Sequence, residues 1–101
     1  MTQEQLDLWL SALESGKYTQ YQRSLTSENE TEHCCLGVLA DVLNIRDNNN
    51  QLRYPSSARS YIMDDNAACD CVKLNDVGFI DAYARVIQYV RANQDRFLTN
   101  R

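Results

Sequence analysis

The chain has few of the residues that mark the commonest ligand-binding and catalytic motifs. It contains three glycines, one histidine and one proline in 101 residues. Because Gly16, Gly37 and Gly78 lie far apart, they form no glycine-rich loop of the kind that cradles a phosphate. Histidine is the side chain that ordinarily titrates near neutrality, so His33 is the single candidate for acid–base catalysis of that type. We therefore expect a protein that is not an enzyme.

Long apolar runs are also lacking. No run approaches the roughly 20 residues that a membrane-spanning helix needs. Residues 1–20 do not combine a basic start with an apolar stretch, as a signal peptide would. These two absences predict no membrane partner and a location in the cytoplasm of the cell that makes the chain.

The composition is that of a soluble globular protein, with 44% hydrophobic and 24% charged residues. The length predicts a single domain over residues 1–101. Fourteen acidic and ten basic side chains give a net charge of -4, which makes binding to nucleic acid phosphates an unfavoured function. The acidic side chains are densest at Glu28, Glu30 and Glu32. They form either a solvated turn or a patch that meets a basic surface on a partner.

The four cysteines come in two close pairs, Cys34 with Cys35 and Cys69 with Cys71. A reducing compartment argues against disulfides, so buried thiols without a cofactor are the expectation. Zinc is the alternative, because His33 and the four thiols supply more than the four ligands of a tetrahedral site. Their spacing departs from the usual pairs of cysteines separated by two residues.

Hydrophobic periodicity predicts an α+β fold that is mainly helical. Three principal helices are expected over residues 2–15, 35–44 and 76–97, with a short β-hairpin between the first two. The hairpin strands are placed near 22–26 and 31–35. Residues 61–75 are expected to form a short turn of helix or strand followed by an irregular stretch. Asn75 or Asp76 is the expected N-cap of the last helix.

Residues 46–60 contain three consecutive asparagines and the single proline, and they predict a polar loop. Tyr54 and Tyr61 lie in or beside this loop and are candidate contact residues, since tyrosine combines an apolar ring with a polar tip. Arg53 and Arg59 could instead clamp the phosphates of a nucleotide while the tyrosines stack on its base.

Three segments of the chain resemble a family of small, uncharacterised accessory proteins of tailed bacteriophages and prophages. The first segment runs from Trp9 through Gly16 and Tyr18 to Gln20. The more specific segments are Cys-Cys-Leu-Gly-Val at 34–38 and Leu-Asn-Asp-x-Gly at 74–78. The resemblance implies a phage origin and brings no catalytic residue with it.

Together these observations lead to one main hypothesis and two alternatives. The main hypothesis is a phage protein that binds and inhibits or redirects a host protein, which could belong to an anti-phage defence system. Glu28, Glu30, Glu32, Tyr54 and Tyr61 are its predicted contact residues. One alternative is an oligomeric sponge for a nucleotide signal, and the other is a zinc-binding regulator. Self-association into a homo-oligomer is left open in each case.

Overall fold

A computed structural model describes residues 1–20, 32–45, 61–62, 64–77 and 82–98 of the chain. The order of elements is α1 (Gln3–Glu14), β1 (Thr19–Gln20), β2 (Glu32–His33), α2 (Cys35–Val42), α3 (Asp65–Val77), α4 (Ala82–Ala92) and a 3-10 turn (Gln94–Arg96). The predicted mainly helical fold is confirmed. Within the described ranges, no helix is long and apolar enough to cross a membrane.

Helix α1 forms as its sequence predicts. The Thr2 hydroxyl accepts from the Gln5 amide, and the Gln5 side chain accepts in return from the Thr2 amide, so a capping box begins the helix. Its four regularly spaced apolar residues are buried: Leu6, Trp9, Leu10 and Leu13. The chain leaves α1 through Gly16, whose φ of +79° is a left-handed conformation that glycine adopts without strain.

The strand pair differs from the predicted hairpin. Thr19 pairs with Glu32 and Gln20 pairs with His33, and the two strands run parallel. A tight hairpin turn joins only antiparallel strands, so this pair is not a hairpin. The predicted strand at 31–35 ends early because Cys34 already begins the capping of α2. The predicted strand at 22–26 and the polar loop at 46–60 lie outside the described residues.

Helix α2 is the central helix of the core. Its residues Cys35 through Ala40 are all buried. The helix ends just before Asn44, which adopts a φ of +55°. Asparagine is one of the few residues other than glycine that enters this region readily, so Asn44 is suited to end α2.

The irregular stretch predicted within residues 61–75 is wrong, because residues 65–77 form the thirteen-residue helix α3. The Asp64 carboxylate accepts from the amides of Asn66 and Ala67, so it provides hydrogen-bond acceptors for two backbone amides in the first turn of the helix. The predicted helix over 76–97 is also wrong at its start. Asn75 and Asp76 belong to α3 and do not cap α4, which covers residues 82–92.

The helices enclose one core in which two aromatic rings are central. Trp9 and Phe97 are fully buried, and their ring centroids lie 5.9 Å apart. Tyr89 of α4 contacts Phe97 edge to face, with centroids 6.2 Å apart. The Arg96 side chain donates to the Asp64 carboxylate and to the Tyr89 hydroxyl, and this joins the start of α3 to the end of α4.

Candidate functional site

The predicted contact residues are only partly covered by the structure. Glu28, Glu30, Arg53, Tyr54 and Arg59 lie outside the described residues, and Glu32 is in β2.

Tyr61 is described, and its side chain reaches the surface. It is 37% exposed, whereas the neighbouring Ile62 is buried in the core. The Tyr61 carbonyl accepts from the amino group of Met1 at 2.6 Å. The backbone of the exposed tyrosine is therefore fixed by this hydrogen bond and by the burial of the next residue, Ile62.

The predicted metal ligands are separated by the geometry of helix α3. Cys69 and Cys71 are two positions apart, and residues at this spacing do not share a helix face. Cys71 is buried while Cys69 is partly exposed. Across the described residues, no group of three or more histidine, cysteine or acidic side chains is arranged to hold a metal ion. The five candidate zinc ligands are thus not brought together as one site.

Two of these cysteines take part in the contact between α2 and α3. The Cys35 thiol donates to the Cys71 carbonyl at 3.5 Å. Both side chains are fully buried, and no cysteine of the chain is in a disulfide. Burial raises the pKa of the Cys71 thiol to about 12 and that of Cys35 well above its usual value. Both thiols are therefore protonated and unreactive at neutral pH.

Cys34 has a role that the sequence does not suggest. Its sulfur accepts a hydrogen bond from the Gly37 amide at 3.4 Å and so acts as the N-cap of α2. Serine and threonine usually fill this position. Burial raises the pKa of the Cys34 thiol to about 11, against the opposing effect of nearby backbone amides. The desolvation cost therefore outweighs the stabilisation of a thiolate by the helix start.

Asn75 supplies the second cap of α2 and is fully buried on α3. Its side-chain oxygen accepts from the Cys35 amide at 3.2 Å. Its backbone carbonyl accepts from the Gln20 side chain at 2.6 Å, which connects β1 to α3. The two most specific segments of the sequence pattern, at 34–38 and 74–78, are therefore joined by the hydrogen bond between Cys35 and Asn75.

Two tyrosines surround the start of α2. The hydroxyl of Tyr83, a residue of α4, donates to the His33 carbonyl. The Tyr18 ring meets the His33 ring edge to face, with centroids 5.1 Å apart, and its hydroxyl donates to the Asp41 carboxylate at 2.5 Å. Burial, followed by the hydrogen bond to Asp41, raises the pKa of Tyr18 to about 12. The phenol is therefore a hydrogen-bond donor at all physiological pH values.

We call these residues the helix-start cluster. It consists of Gln20, His33, Cys34, Cys35, Asn75 and Tyr83. Sequence patterns gave Asn75 the wrong role, as the N-cap of the last helix. Asn75 and Tyr83 belong to the cluster through hydrogen bonds to residues 40 and 50 positions earlier in the chain. The cluster joins β1, β2, α2, α3 and α4. Hydrogen bonds to backbone groups are formed by the side chains of Gln20, Cys34, Cys35, Asn75 and Tyr83.

A small, mainly helical protein whose central helix begins in a buried polar cluster is the class that this fold defines. A family model described as a domain of unknown function (DUF8296) matches residues 1–81, and the chain belongs to that family. No curated protein and no solved structure matches the chain. The matched residues include the whole helix-start cluster except Tyr83, which lies on α4.

Proposed function

We propose that this chain is a phage-encoded accessory protein that binds a host protein in the bacterial cytoplasm and catalyses no reaction. The observation that carries the proposal is the burial of the single histidine and of three of the four cysteines. His33, Cys34, Cys35 and Cys71 are each less than a tenth exposed. A nucleophile or a general base must reach its substrate, and these side chains are instead enclosed in the core.

The hydrogen bonds of the cluster support the same proposal. The Cys34 sulfur and the Asn75 oxygen accept from backbone amides of α2, and the Tyr83 hydroxyl donates to a backbone carbonyl. Groups engaged in this way hold the fold together. The raised pKa of Cys34, about 11, also keeps its thiol in the form that does not attack an electrophile.

Tyr61 supports a binding role from the surface. An aromatic side chain on a fixed backbone loses little conformational entropy when a partner covers it, which makes it a good anchor. The net charge of -4 favours a partner with a basic surface. Glu28, Glu30 and Glu32 remain the proposed acidic contacts, and Tyr54 the second proposed aromatic contact.

Site-specific photo-crosslinking in host cells tests the proposal. A photoreactive amino acid at Tyr61 is expected to capture one host protein. The same group at Lys73, an exposed residue of α3, is expected to capture none. Replacing Glu28, Glu30 and Glu32 together by glutamine is expected to weaken the capture at Tyr61. Equal labelling from both positions would refute a specific contact at Tyr61.

Native mass spectrometry of gently purified protein tests the two alternatives directly. A chain at its sequence mass, or a whole-number multiple of it, agrees with the proposal. Added mass from a nucleotide would favour the sponge, with Arg53 and Arg59 as its candidate ligands. Stoichiometric zinc would favour the metal-dependent regulator. Either adduct would overturn binding without a cofactor.

A further inference from the structure

The outer face of α1 presents a leucine to solvent among acidic side chains. Glu4, Asp7, Leu8 and Ser11 follow one another at the spacing of a single helix face. All four are exposed, and Leu8 is 50% exposed although every other leucine of α1 is buried. With Gln3, these residues line a shallow depression. We refer to Glu4, Asp7, Leu8 and Ser11 as the Leu8 face.

A groove of opposite character lies between the end of α1 and α4. Ala84 and Ile87 provide apolar lining, and Arg85 and Arg91 provide positive charge. Gln88 and Glu14 complete the lining, and Arg91 forms an ion pair with Glu14. The Arg91 side chain is still 56% exposed in this pair. We refer to these six residues as the α4 groove.

The two surfaces are complementary in charge and in polarity. The Leu8 face offers two carboxylates beside an apolar side chain. The α4 groove offers two guanidinium groups, one of them paired with Glu14, beside an apolar lining. We propose that two copies of the chain associate, with Leu8 of each copy in the α4 groove of the other. Glu4 and Asp7 then face Arg85 and Arg91 of the second copy.

Leu8 and the Glu14 edge of the α4 groove lie close together along α1, which is compatible with a two-fold arrangement. Leu8 and Glu14 are six residues apart, or about 9 Å along the helix axis. In a two-fold contact, the surface that one copy offers is met by the same surface of the other, so face and groove are used reciprocally. The contact is small, and we expect it to be weak and sensitive to salt. It does not depend on the proposed host-binding function.

Sedimentation equilibrium with two charge reversals tests the proposal. Wild-type protein is examined from about 10 μM to about 1 mM, where weak contacts of this size associate. Asp7→Lys alone and Arg85→Glu alone are each expected to raise the dimer dissociation constant at least about tenfold, because like charges then meet twice. Leu8→Ala is expected to raise it similarly by removing the apolar contact.

Mixing the two reversed variants provides the decisive comparison. In a mixed dimer the introduced lysine faces the introduced glutamate, while the other half of the contact keeps its native pair. An equimolar mixture is therefore expected to dimerise within about threefold of the wild-type dissociation constant. Lys73→Glu and Asp95→Lys change charge at exposed positions outside both surfaces and serve as matched controls.

The outcomes are distinct. A wild-type chain that stays monomeric throughout the range would overturn the proposal, as would a dimer that neither reversal weakens. Failure of the mixture to recover would also overturn it, provided that thermal melting shows both variants folded. Capture of a host protein at Tyr61 is measured separately, so the two proposals succeed or fail independently.

Discussion

Replacing Asn75 by alanine should remove one of the two hydrogen bonds described between α3 and the start of α2. The Asn75 side chain is fully buried, and its oxygen accepts from the Cys35 amide. Cys35 is the first residue of α2, so its amide has no partner within the helix. In the Asn75→Ala variant, the Cys35 amide remains buried but no longer has the Asn75 side-chain oxygen as its acceptor.

The expected loss of unfolding free energy is about 2 kcal/mol. A buried amide left without an acceptor costs about 1 to 3 kcal/mol. The space left by the amide group adds to this cost, since the core relaxes only in part. The higher helix propensity of alanine returns about 0.6 kcal/mol. A small domain is stable by about 5 to 15 kcal/mol, so the variant should still fold.

Urea denaturation followed by Trp9 fluorescence is a suitable assay. Trp9 is the single tryptophan of the chain. Its indole N–H donates to the Cys35 carbonyl at 2.8 Å, so the fluorophore contacts the residue whose amide is perturbed. Asn66→Ala provides the matched control, because Asn66 is an exposed asparagine of the same helix. The control should change stability by less than about 0.5 kcal/mol.

A small effect at Asn75 would refute the reasoning. If Asn75→Ala and Asn66→Ala differ by less than about 0.5 kcal/mol, the buried hydrogen bond does not contribute as argued. A loss of helical circular dichroism before any urea is added would also contradict the expectation, since it would mean that the variant does not fold.

Three further predictions concern the thiols and phenols. Cys34→Ala should cost about 1 kcal/mol as a lost N-cap, whereas Cys34→Ser should keep wild-type stability in urea denaturation; equal stability of the two variants would exclude capping by sulfur. In native protein, a thiol-specific reagent should label Cys69 first and reach Cys34, Cys35 and Cys71 only on unfolding; rapid labelling of two or more sites would contradict their burial. Alkaline titration should lower the stability of the protein between about pH 9 and 12, because the folded pKa values of Cys34 and Tyr18, about 11 and about 12, exceed the ordinary values of 9.0 and 10.0. The stability that these protonated groups contribute is complete below their unfolded pKa and is lost as pH rises through the folded one; constant stability to pH 12 would refute it.

Local patterns predicted α1 and α2 because their signals lie within a few residues. The structure has all of these signals in α1: the capping box at Thr2, the apolar spacing to Leu13 and the turn at Gly16. Helix α3 was missed because its buried face carries small or polar side chains. Ala67 and Cys71 are fully buried there, and a search for large aliphatic residues does not detect such a face.

The helix-start cluster could be predicted only in part. The expected burial of thiols was confirmed for Cys34, Cys35 and Cys71. Their hydrogen bonds were not foreseen, because the partner of the Cys35 amide is 40 residues away in the chain. Asn75 has the sequence features of a cap and does cap a helix, but that helix is α2. Sequence shows which groups can cap, whereas tertiary packing decides which amide they meet.

The double capping of α2 has a consequence for hydrogen exchange. Amides in the first turn of a helix usually exchange quickly with solvent, because they lack a carbonyl partner within the helix. In α2 the Cys35 amide is held by Asn75 and the Gly37 amide by the Cys34 sulfur, and both lie in the core. Their exchange should therefore require the opening of α3 away from α2, or global unfolding. The first turn of α2 is then expected to be among the most protected parts of the chain.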